Sequence, residues 1–234
     1  MKFRFLCFGS HLLLSLLIAL LVVGLVFWLW YPSPLDKALG VSSIFVLLLS
    51  IDVIVGPLLT LVVAKQGKKT LKMDLVAIGI IQMLALGYGL YIVAQGRPVW
   101  MIYDSGRFEL VQAYEAVKNQ GGSSEVDNFK LGISGPVWGA VIESLPASIG
   151  KGDAYYNAEF LKKYDEHVAA QVGEKALKLD VLKRFNDPAK VDKALSEYPE
   201  ANAFVPMAAK NKAIVVLVNT AEGYPIAIVD LSPW

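Results

Sequence analysis

Residues 41–64 read VSSIFVLLLSIDVIVGPLLTLVVA, an apolar run whose one charged side chain is Asp52. At 1.5 Å rise per residue the run is long enough for the roughly 30 Å hydrocarbon core of a bilayer. No polar stripe of the kind a surface helix carries runs along it. Two more apolar runs flank it, Leu12 to Trp30 before it and Leu75 to Ala94 after it. One such run is compatible with a buried helix of a soluble protein, but three within the first 95 residues define three membrane spans.

The bulk composition points the same way. Hydrophobic residues make up 55% of the 234 and charged residues only 18%, and mean hydropathy is positive, more apolar surface than one core hides. The charges are unevenly spread. Seven of the 22 basic and three of the 21 acidic residues precede Arg97, so residues 1–95 are lipid-like and 96–234 have the composition of a globular domain. That second part carries 15 basic and 18 acidic residues. Its mild acidity excludes a nucleic-acid surface, which needs clustered Lys and Arg. Cys7 is the single cysteine, so no intramolecular disulfide holds the domain.

Orientation is read from Lys and Arg in the short loops. Lys2 and Arg4 precede the first span, and Lys65, Lys68, Lys69 and Lys72 lie between the second and third, whereas the 31–40 connector YPSPLDKALG has only Lys37 beside Asp36. The expected topology is N-terminus cytoplasmic and the 96–234 domain periplasmic, in the inner membrane of a diderm bacterium. The first run exceeds the 7–15 residues of a typical signal-peptide core and ends in Trp28, Leu29, Trp30 and Tyr31 with no small-x-small cleavage site. It is therefore expected to remain as an anchor, with its aromatic end at the interface.

Asp52 is the most informative polar residue. A carboxylate at mid-membrane costs about 2.5–3.5 kcal/mol on insertion scales and needs a partner or a cavity. It either meets a polar or cationic group on another membrane helix, or is a protonated acid bonded to Ser50, Gln82 or Tyr88 in its own bundle. Gly56-Pro57 follows one helical turn later, where proline removes a backbone hydrogen bond and is expected to kink the helix. Gly79 and Gly87-Tyr88-Gly89 in the third run favour close helix packing, within the bundle or against a partner. No ladder of intramembrane charges, repeated half or pair of broken helices marks a transporter.

In the domain, RPVWMIYDSGRFELV reads as a hairpin near 98–112 turning at Asp104-Ser105-Gly106, and residues 213–230 as a second hairpin around Thr220 to Gly223. A long helix is expected from Asn157 to about Leu182 and another from Asp187-Pro188 to Tyr198, with Pro188 in the first turn. Strands at both ends with helices between give an α+β domain. Residues 120–124 read as a loop, and GISGPVWG as a turn anchored by Trp138. No HExxH, Cys/His cluster, GxSxG elbow or P-loop occurs. His11 lies at the membrane edge, His167 reads as a solvated helix residue, and Asp153 and Asp165-Glu166 as ordinary surface acids. No catalytic residue, cofactor or metal is expected.

Several stretches together resemble the TfpX/TfpZ family of type IV pilin accessory proteins, also described as fimbrial assembly proteins. They are Tyr31-Pro32 with Pro34, IDVIVGPLLTLVV from Ile51 to Val63, Lys72-Met73-Asp74-Leu75, LALGYGLY, the junction QGRPVWMIYDSGRFELV, and the ending EGYPIAIVDLSPW. The similarity is densest over 31–110 and weaker across 120–205. It implies three membrane helices, a periplasmic domain, and a non-enzymatic helper of a cognate pilus that binds the major pilin, with other inner-membrane pilus machinery as further partners. The family's recurrent positions here are Asp52, Gly56, Pro57, Tyr88, Gly89, Arg97 and Pro98. Asp52, Gly56, Pro57, Gly87, Tyr88, Gly89 and Arg97 are the expected partner-binding residues. The competing functions are a membrane-anchored ligand sensor, which would need a cytoplasmic output domain, and an immunity-type inhibitor of a membrane-acting toxin.

Overall fold

The computed structural model describes residues 1–116, 129 and 135–234; the loop expected at 120–124 and the start of the GISGPVWG turn lie outside them. The chain divides into two units, Met1–Leu29 with Val41–Gln95, and Trp30–Gly40 with Gly96–Trp234.

The first unit is three long helices: α1 (Lys2–Gly24), continued by a π-helical turn over Leu25–Trp30, then α3 (Val41–Val63) and α4 (Leu71–Gln95). All three are long and apolar enough to cross a membrane. Each exposes many large apolar side chains, among them Leu13 and Leu20 on α1, Ile44 and Val62 on α3, and Ile81 and Leu84 on α4, as lipid-facing helices do. Helix α3 packs against both α1 and α4 and runs unbroken through Pro57.

The second unit is an α+β domain on one mixed sheet. Its strands are β1 (Pro98–Asp104), β2 (Arg107–Gln112), β3 (Val137–Val141), β4 (Leu161–Lys163), β5 (Leu177–Lys178), β6 (Ala203–Ala208), β7 (Ile214–Val218) and β8 (Pro225–Val229). The order is β4-β3-β1-β2-β6-β7-β8, with β5 paired to β6. β1 runs antiparallel to β2 and parallel to β3; β2 joins β6 in parallel at Phe108↔Met207. The β1–β2 turn places Ser105 and Gly106 at φ 51° and 101°, the two positive values that a two-residue hairpin with right-handed strand twist requires.

Side chains alternate along the strands between separate cores, the period-two pattern of a sheet covered on both faces. Ala203, Val205, Ile214, Val216 and Val218 enter one core, whereas Phe204, Val215 and Leu217 enter another. The first core also holds Met101, Tyr103 and Phe108, and is covered by α6 (Glu166–Lys175) through Val168 and Val172. The last is covered by a 3₁₀ segment, Leu179–Arg184, and by α7 (Pro188–Ser196). A third core around Trp100, Ile102 and Val111 packs on Phe129, Tyr155 and Leu161, next to the short α5 (Lys151–Ala154).

The connector between the first two spans is part of this domain. Its helix α2 (Leu35–Leu39) buries Leu35 and Ala38 in the first core beside Met101, Phe108 and Ile214. The β6–β7 turn closes its end: the Asn211 and Lys212 N–H groups both donate to the Ala38 carbonyl at 3.1 Å, and Asn211 Nδ2 donates to the Lys37 carbonyl at 3.1 Å. These bonds satisfy carbonyls that a five-residue helix leaves open. Gly40 ends α2 at φ 70°, with the Asn211 side chain filling the space a Cβ would need.

The expected helix from Asn157 to Leu182 is instead a 3₁₀ turn (Ala158–Phe160), β4, α6, β5 and a second 3₁₀ segment. Asp165 starts α6 as an extended N-cap, accepting from the Val168 N–H at 2.8 Å, and so cannot continue a helix arriving from Asn157. Trp138 itself lies in β3 and packs edge-on against Phe108 at 5.0 Å. Helix α7 does begin at Pro188, capped by the Asp187 carboxylate on the Ala189 N–H at 2.8 Å.

Asp230, just after β8, is met by Lys212 at 2.6 Å, Lys37 at 3.2 Å and Lys190 at 3.8 Å. Partial burial pushes its pKa up, but the hydrogen bonds from Lys212 and Lys37 outweigh that and hold it below the usual carboxylate range. A depressed folded-state pKa gives stability that is present above the unfolded value of about 3.9 and is lost as pH falls through the folded one. Asp230→Asn should therefore lower the urea midpoint of the domain at pH 7, and the gap to the unmodified protein should close on acidification below about pH 4. Tryptophan fluorescence during urea titration at both pH values checks this; a gap that persists in acid would refute it.

Candidate functional site

On α3, Asp52, Gly56 and Thr60 follow at four-residue intervals and share one face. From α1, His11 Nδ1 lies 2.6 Å from Thr60 Oγ1. From α4, Gln82 Nε2 donates to the Asp52 backbone carbonyl at 2.9 Å. The close approach of Gln82 depends on Gly56: a Cβ there would lie 2.0 Å from the Gln82 amide nitrogen. Pro57 has no N–H, so the Val53 carbonyl loses its usual intrahelical donor on the same turn. Glycine, proline and an outside amide thus converge where the carboxylate sits. Hydrogen bonds of this kind between membrane helices are worth about 0.6–2 kcal/mol each.

Of the three intramolecular neighbours considered for Asp52, Gln82 is the one in contact, through the backbone carbonyl. Ser50 Oγ donates to Val46 of its own helix at 2.8 Å, and Tyr88 is 69% exposed. The glycines of α4 play different parts. Gly89 is filled by Leu48, 2.4 Å from where its Cβ would be, while Gly79 and Gly87 have open space beside them. A groove of about 430 Å³ runs past Gly79, Cys7, Ser10, His11, Leu14 and Thr60. The His11–Thr60 link was not anticipated from the sequence, although two polar residues inside apolar runs were its signal.

Arg97 belongs to the second unit. It precedes β1, accepts the Ala113 N–H at its carbonyl at 2.9 Å, and lies beside the buried phenol of Tyr31. Burial lowers the Arg97 pKa and raises that of Tyr31, and the charge of each opposes the other's shift. Tyr31-Pro32 and Arg97-Pro98, far apart in sequence, thus meet in one domain. His167 is exposed, 2.8 Å from a Glu143 oxygen and 3.1 Å from Gln171 Nε2. Among the described residues no group of three or more His, Cys, Asp or Glu side chains is placed to hold a metal.

Three membrane helices carrying an α+β domain, with the connector of the first two spans folded into that domain, define a polytopic membrane protein. A family model described as "Fimbrial assembly protein FimB" matches residues 1–40. The fimbrial assembly protein of Dichelobacter nodosus serogroups C1 and C2 is 40% identical over 98 residues, 41% of this chain and 75% of its own length. The serogroup I protein of the same organism is 38% identical over 105 residues, 44% of this chain, and the serogroup E1 protein 39% identical over 98, 41% of this chain. The chain belongs to the family of FimB fimbrial assembly proteins. The matched stretches span 41% of the serogroup I protein and 38% of the serogroup E1 protein. No solved structure matches the chain.

Proposed function

We propose that this protein is a non-catalytic accessory factor of type IV pilus assembly that binds the cognate major pilin in the bacterial inner membrane. Its N-terminus faces the cytoplasm and its domain the periplasm, the topology that the lysines at 65, 68, 69 and 72 support. The observation that carries the reading is an intramembrane carboxylate one turn from a glycine–proline pair inside a continuous helix, in a chain 40% identical over 98 residues to a protein named for fimbrial assembly. In this reading Asp52 engages the polar end of the waiting pilin helix, the open flank of α4 at Gly87 and Tyr88 admits it closely, and the domain contacts the pilin head. Gly56 and Gly89 act indirectly, holding α3 against α4. Arg97 and Tyr31 brace the domain, and other inner-membrane pilus components are further partners.

The test is affinity purification of the tagged protein from its native membrane in mild detergent. Pilin should be the dominant partner. Asp52→Leu should reduce its recovery about tenfold, the loss expected from one intramembrane polar contact worth about 1–2 kcal/mol, and should reduce surface piliation. Asp52→Asn should retain part of both. Undiminished pilin recovery with Asp52→Leu would remove Asp52 from the site, and absence of pilin from the unmodified preparation would overturn the function.

A further inference from the structure

The sheet ends on β8, and among the described residues no backbone hydrogen bond from another segment reaches its outer edge. An uncovered edge presents N–H and C=O groups spaced to pair with one more strand. Two grooves lie along this edge. One, of about 370 Å³, is bounded by Pro32, Leu35, Trp138 and Ile226. The other, of about 450 Å³, lies between α7 and the connector. Both are lined by Ser33, Tyr198 and Ile228, so they adjoin and together follow the path of the strand. Five residues of β8 give that path a length of about 17 Å at about 3.3 Å per residue.

The two ends of the path differ in chemistry. The first is apolar and aromatic, through Trp138, Tyr198 and Ile226. The second carries Lys37, Lys190 and Lys193, opposed there by Asp230 and Glu197. Asp230 is already shared with a further lysine, Lys212 at 2.6 Å. Ammonium groups therefore outnumber carboxylates, and Lys37 and Lys190 keep 56% and 51% of their side-chain surface in water. A surface cluster of this kind attracts carboxylates and orients them, while backbone pairing supplies the affinity.

We propose that the free edge of β8 is a strand-addition site for an extended segment of a partner protein, apolar in its first half and acidic in its second. The acidic half lies over Lys37, Lys190 and Lys193. The inference rests on the reading that this protein engages a component of the pilus, and it specifies the chemistry of the segment engaged. Pairing to β8 fixes the segment's backbone, side chains at alternate positions fall toward Tyr198 and Ile228, and the charge gradient sets its direction.

The experiment uses the full chain in zwitterionic nanodiscs and a fluorescein-labelled peptide, Val-Thr-Val-Thr-Val-Thr-Asp-Glu-Asp-Glu, followed by fluorescence anisotropy. Saturable binding is expected, weakening as ionic strength rises and falling about tenfold in the Lys190→Glu/Lys193→Glu variant. Both lysines are exposed, so that variant should stay folded with only the 3.8 Å Lys190–Asp230 pair lost, and binding is compared below its unfolding temperature. The same peptide N-methylated at alternate residues, or with lysine in place of its acidic residues, should not bind. No binding of the acidic peptide, or equal binding of the N-methylated one, would overturn strand addition. Capture of phosphatidylglycerol vesicles through Lys190 and Lys193 without peptide binding would assign the cluster to lipid and overturn it too. If the peptide fails while pilin still co-purifies with the lysine variant, the groove is refuted and the assembly function stands.

Discussion

A full-length chain carrying Leu35→Asp is expected to insert its three spans and yet lose the fold of the domain that resumes at Gly96. Leu35 is 2% exposed, in the same core as Met101, Phe108, Val205 and Ile214. A carboxylate at that position has no partner, and burying it unpaired costs several kcal/mol. Domains of this kind have a net stability of only about 5–15 kcal/mol. Leu35→Ala removes the same packing without adding a charge and should cost about 2–5 kcal/mol, leaving a weakened but folded domain. The readouts are limited trypsin digestion and the emission of Trp100, which is 1% exposed in the folded state. Emission at the unmodified wavelength and an unmodified digestion pattern for Leu35→Asp would mean that the connector is dispensable to the core.

The prediction turns on the part of the fold that was hardest to read. The spans were legible because their signal is local: twenty or so apolar residues have few other uses. Hairpins and caps are nearly as local, since Asp104-Ser105-Gly106 and Asp187-Pro188 specify their backbone within a few residues. Nothing local in YPSPLDKALG says that Leu35 and Ala38 belong to a sheet whose strands lie between Met101 and Val218. Ten residues between two spans have the length and composition of a simple loop. Likewise β4 and β5, of three and two residues, exist only through their partners β3 and β6. Local helix propensity across 157–182 was real but lost to those pairings and to the Asp165 cap.

The candidate site shows the same division. A charged residue in a span is conspicuous, and Asp52 with Gly56 and Pro57 could be picked out at once. Their relation to Gln82 could not, because it depends on which face of α4 meets α3. The glycines make this plain: Gly87 and Gly89 are equivalent in sequence, yet one has open space beside it and the other is filled by Leu48. A small residue licenses a close approach without saying whether a neighbour uses it. Tyr31 and Arg97 were separate motifs in the chain, and only the fold brings them together.

Gly223→Val is expected to destabilise the domain by about 2–5 kcal/mol, from two independent causes. Gly223 has φ +72°, a left-handed conformation that costs a β-branched residue roughly 1–2 kcal/mol. A Cβ built there would lie 1.8 Å from the backbone carbonyl oxygen of Ala169 in α6. That atom is backbone in a packed helix, so relief requires moving α6 or the turn, an overpacking cost of about 1–3 kcal/mol. One helical turn on, the reverse contact occurs: a Cβ on Gly173 would meet the Thr220 carbonyl at 2.4 Å. The β7–β8 turn thus lies flat along α6, and the Tyr164 hydroxyl secures it by donating to the Gly223 carbonyl at 2.6 Å. Gly173→Ala leaves φ in the helical range and should cost less than Gly223→Val, a ranking that separates steric contact from backbone strain. Thermal unfolding of the three proteins measures it, and Gly223→Val unfolding at the unmodified temperature would refute the packing. Because this turn sets the start of β8, the same variant should also lose binding of the acidic peptide below its unfolding temperature, with Lys37, Lys190 and Lys193 intact. Charge alone would then be insufficient, and a fixed strand edge would be the feature that the partner reads.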